Sequence, residues 1–177
     1  LIERAEPIWC LQWSPANPEG QSTLAVGCWD QTLSFYQING EQIWKDRHIG
    51  PHIRARLTLH QSWCDVDLLG FDPCAVEHYN NGECLLVAGS NKEVQMYTRE
   101  GVFLNKILSS AHWIWTVKQR PKMRSFAFAS NAGQIMLLYE SVSGPGWSHY
   151  LFSVGELEVH KLVFNTVHGL YKDRYAY

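Results

Sequence analysis

Leu24-Ala25-Val26-Gly27-Cys28-Trp29-Asp30-Gln31-Thr32-Leu33-Ser34-Phe35-Tyr36 is the stretch on which the fold turns. An apolar run enters a cluster of small and polar residues. A second run leaves it with apolar side chains two apart, at Leu33 and Phe35. Alternation with a period of two belongs to strands, so the stretch predicts a β-hairpin. The pattern recurs. A shift of 61 residues lays it on Leu85-Leu86-Val87-Ala88-Gly89-Ser90-Asn91-Lys92-Glu93-Val94-Gln95-Met96-Tyr97. A further 41 lays it on Phe126-Ala127-Phe128-Ala129-Ser130-Asn131-Ala132-Gly133-Gln134-Ile135-Met136-Leu137-Leu138.

A strand is expected before each hairpin, at Ile8–Leu11, Cys74–Val76 and Ile114–Val117. Outer strands are expected after the first two, at Asn39–Trp44 and Glu100–Leu104. Four short antiparallel strands in one period match a β-propeller blade, which runs to about 40–45 residues. The predicted fold class is therefore all-β, with about three propeller blades of an incomplete ring.

The 61-residue interval is longer than 41 by the length of Gly50–Leu69, which has no counterpart in the other copies. A second irregular segment begins after Glu140, where Gly144-Pro145-Gly146 interrupts the expected outer strand. The predicted organisation is a first blade at 1–49, an insert at 50–69 and a second blade at 70–110. A partial third blade follows at 111–140, a second insert at 141–162, then an outer strand and the start of a next blade at 163–177. The inserts carry apolar residues at no fixed period, among them Ile53, Trp63, Trp147 and Phe152. Two origins stay open for them: surface loops, which cost little closure entropy, or translated non-coding sequence.

Three blades do not close a ring, and an open array leaves two blade faces wet. The chain also begins with Leu1 and carries no signal-peptide pattern. It is expected to be a piece of a longer protein.

Composition narrows the function classes. The 177 residues are 46% hydrophobic and 18% charged, enough apolar material for a core. No run is long enough for a membrane-spanning helix. Fifteen Lys+Arg against 17 Asp+Glu give a net charge of −2, which argues against a nucleic-acid partner. Cys10, Cys28, Cys64, Cys74 and Cys84 are odd in number with no C-x-x-C pair, so free thiols are expected. His48 and His52, and His60 with Cys64, are four apart. They would share a helix face as zinc ligands do, but Gly50-Pro51 favours a loop. No nucleophile-elbow, Walker or G-x-G-x-x-G string occurs. The sequence therefore assigns no catalytic, cofactor-binding or metal-ligating residue, and an enzyme is not expected.

Eight tryptophans are many for such a chain. Trp9, Trp113 and Trp115 fall in or beside the predicted first strands. Core packing is the favoured role for them, since aromatic rings bury large areas. Exposed at the end of the blades, they would anchor a partner peptide.

The copies resemble WD repeats, with Cys28-Trp29-Asp30 in the position of the WD turn. Asn91 and Ala132 replace Asp30 in the other copies, and no Gly-His precedes a first strand. A closer resemblance is carried by Pro7-Ile8-Trp9, Leu33–Gln37, Lys45-Asp46-Arg47, Phe71–Cys74, Trp113–Thr116 and Thr166–Tyr177. In that order they resemble the WD-repeat subunits of intraflagellar transport complex A, over roughly residues 1–49, 70–140 and 163–177. That resemblance implies a non-catalytic scaffold for retrograde ciliary transport, cilium assembly and admission of proteins to cilia. It implies other complex A subunits and ciliary cargo as partners, at the cilium, its base and the cytoplasm, with no cofactor. The rivals are a generic WD-repeat adaptor of vesicle-coat or ligase type, a small all-β hydrolase, and a self-contained three-repeat protein.

Overall fold

The computed structural model describes residues 4–17, 20–43, 52–62, 69–99, 101–121, 123–140, 147–153, 163–164 and 175–176. The first sheet orders β1 (Ile8–Trp13), β2 (Thr23–Cys28), β3 (Thr32–Ile43) and β4 (His52–Ser62). The second orders β5 (Pro73–Tyr79), β6 (Cys84–Gly89), β7 (Glu93–Thr98) and β8 (Phe103–Ser109). The third contains β9 (Ile114–Gln119), β10 (Ser125–Ser130), β11 (Gln134–Glu140) and β12 (Trp147–Ser153). A two-stranded ladder joins β13 (Val163–Phe164) to β14 (Tyr175–Ala176). Every pairing is antiparallel between neighbours in sequence. The three large sheets are β-propeller blades, as the repeat predicted.

The turns between the second and third strands of the three blades obey one rule. Each is a three-residue loop whose last residue is left-handed: Gln31 (φ 65°), Lys92 (φ 63°) and Gly133 (φ 62°). These are equivalent positions under the sequence shifts. A turn of helical sense closed by a left-handed residue is a favoured three-residue hairpin connection. The amides of Gln31 and Lys92 each donate to the carbonyl three residues back, Cys28 and Gly89, both at 3.1 Å.

The period arithmetic and the structure differ at the outer strands. β3 runs on through Asn39–Ile43, where a separate outer strand was expected. The outer strand is β4, inside the segment 50–69, paired from Ile43↔His52 to Ser34↔Ser62. In the third sheet β12 falls inside the segment 141–162 and pairs along all of β11, Gln134↔Ser153 to Glu140↔Trp147. Trp147 also packs in the core, with ring centroids 5.1 Å from Phe126 and 5.9 Å from Tyr79. Both segments thus contribute blade strands. They escaped the repeat because neither segment has a sequence counterpart in the other copies.

The core lies between blades. Ala25, Leu33 and Phe35 of the first sheet meet Val76, Leu85, Val87 and Tyr97 of the second, with Phe71 between them. The opposite face of the second sheet offers Ala75, Tyr79, Leu86 and Val94 to Ile114, Val117, Phe126, Phe128 and Leu138 of the third. Burying each large apolar side chain contributes about 1.5–3 kcal/mol. No helix of the described residues is long and apolar enough to cross a membrane.

Candidate interaction site

Antiparallel pairing fixes which features share an end of the blades. Ile8 faces Cys28, Pro73 faces Gly89 and Ile114 faces Ser130. The start of each innermost strand therefore lies beside the turn between the second and third strands. At this end the amides of Trp29, Ser90 and Asn131 donate to the carbonyls of Pro7, Asp72 and Trp113, at 3.0, 3.1 and 3.1 Å. The donors are equivalent positions under the sequence shifts and each acceptor immediately precedes its innermost strand, so one tie is used three times.

Side chains finish the turns differently. Asp30 Oδ1 accepts from the Thr32 amide at 3.1 Å and from Thr32 Oγ1 at 2.5 Å. Burial alone would raise the Asp30 carboxyl. The bonds from Thr32 and Cys28 and the nearby Arg4 charge outweigh it and hold the group below its ordinary value. Arg4 stands 3.8 Å from Asp30 and also donates to Ser34. In the second blade Asn91 Oδ1 accepts from the Glu93 amide at 3.2 Å, the same bond without the charge.

Four tryptophans gather at this end. Trp9 stacks on Trp29 with centroids 4.5 Å apart and planes 17° apart. Trp9 and Trp115 are tilted at 5.7 Å, and Trp115 and Trp113 are tilted at 5.6 Å. The row Trp29–Trp9–Trp115–Trp113 therefore links the first blade to the third. The Trp115 indole N–H donates to Asn131 Oδ1. Core packing was the favoured expectation for Trp9, but 46% of it is exposed; Trp113 and Trp115 are half-buried. The reason is register. The β1–β2 pairing shifts between Ile8 and Cys10, leaving Trp9 as the extra residue, and it is Cys10 that packs toward the second blade.

The other end of the inner strands is polar. Lys118 of β9 donates to Glu77 of β5 at 2.6 Å and to Gln12 of β1 at 3.3 Å. The Gln119 amide donates to the second Glu77 oxygen at 3.1 Å. Glu77 is buried, which raises its carboxyl above the ordinary value despite the pull of Lys118. One cation thus pins three inner strands. Sequence reasoning missed this pin. Its available signal was a charge ending each of two apolar runs, Cys74-Ala75-Val76-Glu77 and Ile114-Trp115-Thr116-Val117-Lys118.

The thiols are placed for packing. Among the described residues Cys10, Cys28, Cys74 and Cys84 form no disulfide. Burial pushes Cys10 up to about 12, with Cys74 adding to it, and pushes Cys74 up to about 12, with Asp72 adding to it. Thiols so protonated are poor nucleophiles and ligands. Among the described residues no group of three His, Cys, Asp or Glu side chains could hold a metal ion. His48 and Cys64 lie outside the described residues. His52 and His60 fall on the extended strand β4, where eight residues span about 26 Å, so the helix-face spacing does not apply.

No family model matches the chain. Solved structures match its fold. Saccharomyces cerevisiae Sqt1 superposes with a TM-score of 0.60 over 93% of this chain and 40% of that one, at 14% identity. The β-propeller domain of Myceliophteria thermophila Cps50 (Swd1) superposes with a TM-score of 0.51 over 84% of this chain and 40% of that one, at 18% identity. Sequence relatives are nearer. The intraflagellar transport protein 122 homologue of Xenopus tropicalis is 34% identical over 171 residues, 97% of this chain and 11% of the relative. The Homo sapiens homologue is 33% identical over 159 residues, 90% of this chain and 9% of the relative. The chain therefore spans about a tenth of the length of the curated relatives it matches. With the repeat, the blades and these relatives in agreement, the chain is a homologue of one propeller-forming stretch of intraflagellar transport protein 122.

Proposed function

We propose that this chain is a non-catalytic scaffold segment of intraflagellar transport complex A. Its blades hold surfaces for the other subunits and for ciliary cargo, in support of retrograde transport, cilium assembly and admission of proteins to cilia. The single observation carrying this reading is the 34% identity to the Xenopus tropicalis relative over 97% of the chain. The geometry supports the scaffold part of it. Blades packed through apolar seams and pinned by Lys118 make a stiff frame, and binding residues work best on rigid elements.

The test is made in ciliated cells lacking the endogenous protein. The tagged full-length protein is expected to co-purify with the other complex A subunits and to clear cargo that accumulates at ciliary tips. A soluble tagged protein that purifies free of those subunits, in cells whose cilia are normal without it, would overturn the reading.

A further inference from the structure

The tripeptide Asn-Gly-Glu occurs twice, as Asn39-Gly40-Glu41 and as Asn81-Gly82-Glu83. An asparagine before glycine loses its side-chain amide readily, because glycine has no Cβ to keep its own amide nitrogen away from the neighbouring side chain. With the same three residues at both sites the intrinsic chemistry is equal, and the fold makes the difference.

Asn39 lies within β3, where the ladder to β4 pairs Asn39 with Arg56, Gly40 with Ala55 and Glu41 with Arg54. Asn81 lies in the four-residue loop Asn80–Glu83 that joins β5 to β6. Asn81 and Glu83 are exposed. Asn80, Asn81 and Gly82 are all left-handed, at φ 51°, 56° and 86°. Asparagine is among the few residues that tolerate this region. Within the loop the Gly82 amide donates to the Tyr79 carbonyl at 3.1 Å and the Glu83 amide to the Asn80 carbonyl at 3.2 Å. Freeing the Gly82 amide breaks that one loop bond and leaves the β5–β6 pairs in place. Turning the backbone at Gly40 means parting β3 from β4. Exposed loops open at little cost and paired strands at more.

We propose that Asn81 is a site of spontaneous conversion to isoaspartate and aspartate, while Asn39 of the same tripeptide is held intact by its ladder. The Gly82 amide nitrogen bonds to the carbonyl carbon of the Asn81 side chain and gives up its proton. The Asn81 side-chain nitrogen takes a proton and leaves as ammonia, which closes a five-membered succinimide. Water then opens the ring at either carbonyl. One opening gives aspartate; the other gives isoaspartate, in which the main chain runs through the former side chain. The product lies at a contact between blades. A Cβ placed on Gly82 would stand 3.0 Å from the ring of Pro15, on the loop after β1. Aspartate tolerates the left-handed turn as asparagine does, and adds a negative charge two residues from Glu83. Isoaspartate lengthens the main chain by one carbon where Pro15 packs. The inference goes beyond the scaffold reading and stands independently of it.

The intact protein is incubated in mildly alkaline buffer at body temperature, beside a matched sample unfolded in urea. Peptides covering residues 39 and 81 are followed by mass, which rises by about one unit on conversion. Isoaspartate is measured by methyl transfer from S-adenosylmethionine with an isoaspartyl methyltransferase. In urea the two sites should convert at rates within about twofold of each other. In the folded protein Asn81 should convert about tenfold faster than Asn39 and should yield isoaspartate. Asn39 keeping pace with Asn81 in the folded protein would overturn the proposal, as would an Asn81 that converts in urea and stays intact when folded. Aspartate at residue 81 without isoaspartate would overturn it too, because direct hydrolysis by water does not pass through the Gly82 nitrogen. Asn81→Gln should silence the loop peptide and leave Asn39 unchanged. Conversion that survives this substitution would place the reaction at Asn80 and refute the assignment.

Discussion

The two seams between blades start from one sequence template and are built in opposite ways. Where the first blade meets the second, small side chains fit closely. Gly27 leaves room for the Cys10 sulfur and the Pro73 ring, and a Cβ added there would stand 2.5 Å from the sulfur and 3.3 Å from Pro73. Where the second meets the third, large rings wedge the sheets. Tyr79, Phe126 and Trp147 meet edge to face or tilted at 5.1–6.1 Å, above the Glu77–Lys118 pair. The polar groups differ too. Glu77 has its cation, whereas neither ring nitrogen of His78, on the face shared with Val76 toward the first blade, has a hydrogen-bond partner. One seam combines close fit with an unpartnered neutral histidine, the other aromatic volume with a charge pair.

Four substitutions test that contrast, each read by urea unfolding and hydrogen exchange of the intact protein. Phe126→Ala should cost about 3–5 kcal/mol, because it empties the centre of the aromatic seam. Exchange should quicken in β5 and β9 before β1. Equal protection loss in all three strands would mean that the seams are not separate units.

His78 sets an acid limit on the other seam. Burial, followed by the Arg99 charge, lowers the imidazole to about 4. The unfolded chain takes up this proton near pH 6.5 and the folded chain only near 4, so stability is full above 6.5 and falls as pH drops between them. The loss is about 3 kcal/mol. His78→Leu should abolish this part of the acid slope, and an unchanged slope would refute it.

Lys118→Met should cost about 2–3 kcal/mol, less than for a fully enclosed pair because Lys118 is 35% exposed. The remaining Gln119 amide does not neutralise Glu77. Lys118→Met with Glu77→Leu should recover most of the loss; no recovery would remove the charge pair from the account. Smallest is Gly27→Ala, at about 1–3 kcal/mol from overpacking against Cys10 and Pro73. Cys10→Ala should rescue it. A neutral Gly27→Ala would show that the close seam has slack.

Legibility in the sequence followed burial. The hairpins could be read because both faces of a middle strand are packed. β10 is buried along its whole length, and its Phe126-Ala127-Phe128-Ala129 run shows it. β8 and β12 could not be read so well: most of β8 is exposed, and β12 follows Gly144-Pro145-Gly146, which resembles a terminator. Trp147 is the residue that could have corrected this, since a large ring seven residues after Glu140 had to pack somewhere. For the candidate site, the sequence offered Trp9, Trp113 and Trp115 but not their meeting with Trp29. That meeting depends on antiparallel register between a strand start and a turn 20 residues later, which no local pattern encodes.

One feature of the turns has a bearing on synthesis. The Leu69 amide donates to the Gln31 carbonyl at 2.9 Å, and the Ser110 amide to the Lys92 carbonyl at 2.7 Å. The left-handed residues of the first two hairpins are thus fastened by the chain that leads into the following blade. A blade emerging from the ribosome lacks that bond until its successor starts to follow. At about 5–20 residues per second the wait is a few seconds. During it the strand pairs can form, but the blade stays unlatched, so the order of translation is also the order in which these blades are locked.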